Sequence, residues 1–304
     1  MQKKNNEGDH DMVIDFHTHL GRIVREDTAI TMKDLLKNME KWGIDKSVIL
    51  PLDATPEGSI SFFTTEQVLE IFKEYPDKII PFCKLDPRQY TNSKDTDFLW
   101  ILKEYKALGC RGVGELTANL YIDDPLCKNL FRQCGQLDMP VLFHLVDRIG
   151  AHYGLVDDLY LPRLENVLKE LPKTILVGHA MAFWAEIDGN VNVNTGGSYP
   201  KGKIEKAGRV CELLLKYPNL YADLSAGSGF NAITRDIEFG IKFLIEFQNK
   251  LLFGTDICMH NQEAPIVHYI KKLSVQKKIS KKVYDKIMYR NAMKILELNG
   301  GKLC

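Results

Sequence analysis

The stretch Val13-Ile14-Asp15-Phe16-His17-Thr18-His19 decides the fold. A short apolar run, residues 13–16, reads as a buried strand, and it ends in two imidazoles separated by one residue. Side chains alternate along a strand, so His17 and His19 face the same side and offer two ligands from one strand end. Seven further apolar, β-branched runs follow, at 47–50, 79–82, 111–115, 141–144, 174–177, 220–223 and 251–253. Between them lie segments of helical periodicity, at 32–42, 66–75, 98–108, 125–137, 161–171, 204–217 and 233–247, and a last one closes the chain at 281–298.

Counted from residues 13, 47, 79, 111, 141, 174, 220 and 251, the steps between strands are 34, 32, 32, 30, 33, 46 and 31 residues. Eight strand–helix units of this size are what a closed parallel barrel requires. Helix ends are punctuated by Trp42-Gly43, Tyr75-Pro76, Leu108-Gly109, Leu171-Pro172 and Tyr217-Pro218. The strands are apolar on both faces, as in a parallel sheet with helices outside and its own side chains inside. An open doubly wound sheet also alternates strand and helix, but eight regular units favour an α/β (β/α)8 TIM barrel. The 304 residues alone would allow two domains, yet the units fill residues 12–304 as one, after a disordered polar tail at 1–11. The long sixth step contains 182–203, rich in Asn and Gly, which reads as a surface insertion or a lid over the site; residues 53–64 raise the same choice.

Barrels place their chemistry at the C-terminal ends of the strands. There, strand one ends in His17 and His19, strand four in Glu115, strand five in His144, strand six in His179 and strand eight in Asp256. A single histidine at a strand end is ordinarily a core or solvated residue. Three strands ending in His and two in a carboxylate at one face point to a metal site. Imidazole and carboxylate ligands suit Zn²⁺ best, with Mn²⁺, Fe²⁺ or Co²⁺ as alternatives. The seven cysteines form no CxxC pair and read as reduced thiols of a cytoplasmic protein.

Phe16-His17-Thr18-His19, the His ending strand five, Gly178-His179-Ala180 and Phe253-Gly254-Thr255-Asp256 together resemble the amidohydrolase superfamily. They are most similar to the amidohydrolase-related branch that includes aminocarboxymuconate-semialdehyde decarboxylase and several lactonases. The similarity runs from about residue 12 to 298 and includes Arg290-Asn291-Ala292-Met293-Lys294-Ile295-Leu296. Gly112-Val113-Gly114-Glu115-Leu116 departs from that branch and looks more like TatD-type deoxyribonucleases, in which a Glu at this place bridges two metal ions. Glu115 is then either a bridging ligand or a carboxylate orienting a ligating histidine, and one or two ions remain open. The resemblance implies that Asp256 binds the metal and shuttles a proton from water to the leaving group. It implies His17 and His19 on a first ion, and His144 and His179 on a second if Glu115 bridges; with one ion, His144 joins it and His179 contacts the substrate.

Lys84, Arg148, Trp184 and Ser225 at strand ends are candidates to bind substrate, with Asp147, His152 and His260 beside them; His268 lies in a helical stretch and reads as structural. Lys84 and Arg148 suit a carboxylate or phosphate. No GxxxxGK[ST], dinucleotide fingerprint, HExxH or GxSxG occurs, which disfavours kinase, dehydrogenase, zincin and serine-hydrolase chemistry. The first expectation is a metal-dependent hydrolase of a C–O or C–N bond in a small ester, lactone or amide. The alternatives are a decarboxylase of a small carboxylic acid, a TatD-like phosphodiesterase and a non-catalytic metal-binding barrel. With 40 Lys+Arg against 40 Asp+Glu, no long-range field favours nucleic acid. No apolar stretch approaches the roughly 18 residues of a membrane span. A small-molecule substrate and a homodimer complete the expected partners.

Overall fold

The computed structural model describes residues 12–24, 27–52, 60–150 and 153–298. The tail 1–11, most of 53–64 and His152 fall outside these residues. Eight parallel strands form, one at each expected place: β1 Ile14–Thr18, β2 Lys46–Ile49, β3 Ile79–Pro81, β4 Val113–Leu116, β5 Val141–Val146, β6 Leu176–His179, β7 Leu220–Asp223 and β8 Leu251–Leu252. β1 to β3 and β4 to β8 pair in chain order, with register shifts between β1 and β2 and between β4 and β5, and two seams close the ring. Cys83 bridges to Val113 beyond the end of β3, and Thr18 bridges to Ile257 beyond the end of β8. At the second seam Phe16 N donates to Phe253 O at 2.9 Å, Asp256 N to His17 O at 2.8 Å and His19 N to Ile257 O at 2.9 Å. These bonds join the first and last strands at the positions carrying the candidate ligands. The eight strands therefore close as a TIM barrel, and the chain is one domain.

Two apolar layers follow from strand alternation. Phe16, Val48, Leu50, Phe82, Leu142, Val177 and Leu252 fill the interior, and Ile295 and Leu296 of the last helical turns pack on that cluster. Val113, Phe143, Leu145, Leu176 and Phe253 instead face the helix layer. β1 shifts register against β2 between Asp15 and Thr18, so Phe16 packs inside while His17 and His19 both reach the mouth. Capping chemistry holds the helices. Thr31 and Asp34 form a reciprocal capping box on Met32–Trp42, which ends at Gly43 in the left-handed conformation (φ 67°), and Thr64 with Gln67 does the same for Thr65–Glu74.

The helix expected at 233–247 is two helices, Ala226–Thr234 and Ile237–Glu246, because Asp236 accepts from Phe239 N and starts a new turn. That at 204–217 shortens to Arg209–Lys216, and 281–298 contains a π turn at Lys286–Arg290. Elements without a counterpart in the sequence reading are short strands at Gly21–Ile23, Thr28–Ile30, Ile60–Phe62, Ala118–Tyr121 and Gly154–Val156, and helices at Met181–Ala185 and Pro265–Val275. Among the described residues no helix is long and apolar enough to cross a membrane.

Candidate metal centre

His17, His19, Glu115, His144, His179 and Asp256 converge at the C-terminal mouth, and all but His144 and Asp256 are buried. Nε2 of His17 and of His19 lie 3.0 Å apart. Asp256 Oδ1 stands 3.4 Å from the first and 3.5 Å from the second, and Glu115 Oε2 is 3.6 Å from His19 Nε2. A second group surrounds the other oxygens of the same carboxylates. Glu115 Oε1 is 2.7 Å from His144 Nδ1 and 3.9 Å from His179 Nε2, and Asp256 Oδ2 is 4.0 Å from His179 Nε2.

The hydrogen bonds settle the tautomers. His17 Nδ1 lies 2.7 Å from Asp223 Oδ2 and His19 Nδ1 lies 2.9 Å from the carbonyl of Leu50. Both partners only accept, so both Nδ1 atoms donate, and in the neutral imidazoles both Nε2 atoms carry lone pairs. Two lone pairs facing each other at 3.0 Å repel unless a cation lies between them. His179 is set the same way, its Nδ1 donating to Asp223 Oδ2 at 3.0 Å. These residues fit a divalent ion.

Asp223 was not singled out in the sequence, although it ends the seventh strand as Glu115 ends the fourth. Fully buried, it accepts from His17, His179 and Ser225 Oγ (2.6 Å) through one oxygen and from Ser225 N (3.0 Å) through the other. Burial pushes its carboxyl up, but the two histidines outweigh this and hold it well below the usual carboxylate range. In return it lifts His179 to about 9 against the pull of burial, so a divalent ion held at Nε2 would take the place of a proton there. Gly254 leaves room for this pair. A Cβ there would stand 2.7 Å from Asp223 Oδ1 and 3.1 Å from His17 Cβ. Below, Asp15 accepts from Thr255 N (2.9 Å) and Thr255 Oγ1 (2.6 Å), which ties β1 to the turn carrying Asp256. Asp256 itself takes a left-handed backbone, φ 55°, and its side chain remains 26% exposed, against 3% for Glu115. Phe62 stacks on His19 at 4.7 Å between ring centroids and Tyr153 lies at 4.7 Å from His144.

The other candidates separate. Ser225 is buried, with its hydroxyl 3.2 Å from His17 Nδ1 and 3.1 Å from His179 Nδ1, so it supports the histidines from behind. Trp184 is also buried; its Nε1 donates to Asp223 O at 2.9 Å and its ring packs on Phe183 and Phe243. Arg148 is largely exposed and pairs with Asp147 at 2.9 Å. Lys84 is half-buried, and its backbone N–H bonds Thr65 Oγ1. His260 and His268 are exposed.

A family model described as amidohydrolase matches residues 14–298. No curated protein matches the chain. Among solved structures, it resembles an amidohydrolase from Burkholderia multivorans with bound zinc (13% identity, 94% of this chain and 99% of that one, TM-score 0.64). It also resembles 2,6-dihydroxybenzoate decarboxylase from Rhizobium (16%, 95% and 100%, 0.61) and a probable 2-pyrone-4,6-dicarboxylic acid hydrolase from Acinetobacter baumannii (16%, 94% and 99%, 0.55). The family match spans the whole barrel and every candidate ligand in it, and the chain belongs to the amidohydrolase family of metal-dependent enzymes.

Proposed function

We propose that this enzyme hydrolyses a C–O or C–N bond in a small ester, lactone or amide. His17, His19, Glu115, His144, His179 and Asp256 would hold two divalent ions, zinc in the first instance, with Glu115 between them. The observation that carries the reading is the pair of Nε2 atoms 3.0 Å apart, beside carboxylates that each turn one oxygen to either histidine group. A divalent ion lowers the pKa of water from about 15.7 to about 7 and polarises an oxygen under attack.

The protein's own part is proton transfer and orientation. Asp256 is the carboxylate of the cluster that solvent reaches, so it is the one placed to take a proton at Oδ2 and deliver it to a leaving oxygen or nitrogen. Its N–H bond to His17 O holds the backbone that carries this carboxylate against β1. Asp223 keeps His17 and His179 in the tautomer that presents Nε2.

A second reading, decarboxylation of a small carboxylic acid, is supported by the likeness in shape to the Rhizobium decarboxylase. A panel of lactones, esters, amides and aromatic carboxylates, with CO₂ release followed in parallel, tests both. Turnover of lactones, esters or amides without CO₂ is the expected result; CO₂ release from a carboxylate would replace the hydrolase reading with the second.

A further inference from the structure

The long segment that follows β6 closes on itself. Asp188 bridges to Ala207, Gly189 N donates to Lys206 O at 2.8 Å, and Thr195 N and Gly196 N turn back on Asn192 O at 2.9 Å and 2.8 Å. Its return limb is tied to the helix Ala226–Thr234 and the turn after it. Asn231 Nδ2 donates to Pro200 O at 3.0 Å, and Arg235 pairs with Asp188 at 2.9 Å, both side chains largely buried. A loop held at its base and along one limb by the scaffold can present a side chain at a fixed place.

Those ties carry the chain across the barrel mouth. A Cβ on Gly197 would stand 2.7 Å from the carboxylate of Asp147, just past β5. A Cβ on Gly227, two residues past Ser225, would stand 3.2 Å from Tyr199 Cε1 and 3.5 Å from its hydroxyl oxygen. β6 lies between β5 and β7 in the sheet, so residues 197–199 pass beyond its end, whose last residue is His179. Tyr199 completes the crossing on the side of Ser225, whose Oγ is 3.2 Å from His17 Nδ1 and 3.1 Å from His179 Nδ1.

Tyr199 is 46% exposed, and among the described residues its hydroxyl has no hydrogen-bond partner. Burial and the nearby Asp256 carboxylate both push its phenol up, so it remains an O–H donor in neutral solution. Other polar groups at this rim are committed, Arg148 to Asp147 and Ser225 Oγ to Asp223 at 2.6 Å.

We infer that Tyr199 is a catalytic residue whose O–H donates to the substrate oxygen that gains negative charge as the scissile bond is attacked. The identity of that oxygen rests on the hydrolase reading. A carbonyl oxygen accepts more strongly as it becomes negative, so such a donor lowers the barrier more than it tightens substrate binding. Asp256 cannot take this part, because a carboxylate only accepts.

Tyr199→Phe keeps the ring against Gly227 and removes only the hydroxyl, which separates donation from packing. On a substrate that the wild type turns over, kcat should fall about 100- to 1,000-fold with KM nearly unchanged, as for loss of a donor to a developing oxyanion. A binding measurement is independent of the reaction. Calorimetric titration of the zinc-loaded full-length protein with n-butylphosphonate, a stable tetrahedral anion, should show one-to-one binding, weakened roughly 10- to 100-fold in Tyr199→Phe, as for loss of a hydrogen bond to a charged group. Hydrogen exchange across 188–207 should match the wild type. Equal phosphonate affinity in the two proteins, no phosphonate binding to the wild type, or a loss accompanied by faster exchange at 188–207 would each overturn the assignment. CO₂ release from a carboxylate would replace the hydrolase reading and leave the phosphonate comparison to decide the role of Tyr199.

Discussion

His17 Nδ1 donates to Asp223 Oδ2 at 2.7 Å, and this one contact joins the first strand of the barrel to the seventh through two fully buried side chains. It fixes the tautomer of His17 and thereby the direction of its free lone pair. Neutralising the acceptor and trading one of its oxygens for an NH₂ donor leaves the ligand present but poorly aimed. Asp223→Asn should lower metal affinity about 10- to 100-fold while the chain stays folded, as for other partners behind ligating histidines. A chelator-competition titration measures this; equal affinity would contradict the role given to Asp223.

Gly254→Ala attacks the same contact from the backbone side. The new Cβ would stand 2.7 Å from Asp223 Oδ1 and 2.9 Å from Ser225 Cβ, closer than real atoms tolerate. Since neither neighbour is a flexible chain end, the Asp223–His17 pair must shift. A stability loss of about 1–3 kcal/mol in urea unfolding, typical of overpacking, should accompany reduced metal content.

Asp256→Asn keeps the size of the side chain and removes the proton-accepting group. Turnover should fall roughly 100- to 10,000-fold, the range for loss of a general acid–base group, with an unchanged melting profile. Single-turnover kinetics on the best substrate of the panel check it. Full activity in Asp256→Asn would remove the proposed proton carrier.

Burial pushes both Asp157 and Glu186 up to about 7, from unfolded values of 3.8 and 4.5. The folded state therefore binds more protons than the unfolded state between those limits, and stability from these groups falls as pH rises from about 4 through about 7. Glu186→Gln cannot titrate. Its urea midpoint should decline less than that of the wild type between about pH 5 and pH 8. Parallel declines would show that Glu186 ionises in the fold as it does in the open chain.

Much of this architecture is legible in the sequence, for identifiable reasons. The eight barrel strands are apolar on both faces, so each stands out locally, and strand-end position alone singles out His17, His19, Glu115, His144, His179 and Asp256. Which of them meet depends on closure of the ring, a property of the whole chain. Asp223 illustrates the limit: the sequence shows a carboxylate ending a strand, but its facing His17, 206 residues away, requires β1 and β7 to lie across one mouth. The three-residue strands at Gly21–Ile23, Thr28–Ile30 and Ile60–Phe62 are too short to show a period of two. The helix Ala226–Thr234 opens Ala-Gly-Ser-Gly, a run with weak helix propensity that tertiary packing overrides. Trp184 and Ser225 follow strand ends, but that Trp184 bonds Asp223 O and Ser225 reaches His17 and His179 depends on the same closure.

Metal stoichiometry tests the central claim most directly. Elemental analysis of the purified enzyme should find two divalent ions per chain, falling to one or none in Glu115→Gln, because the two oxygens of Glu115 face the two histidine groups at 3.6 Å and 2.7 Å. One ion per chain in the wild type, unchanged by that substitution, would contradict the bridging role and the two-ion centre built on it.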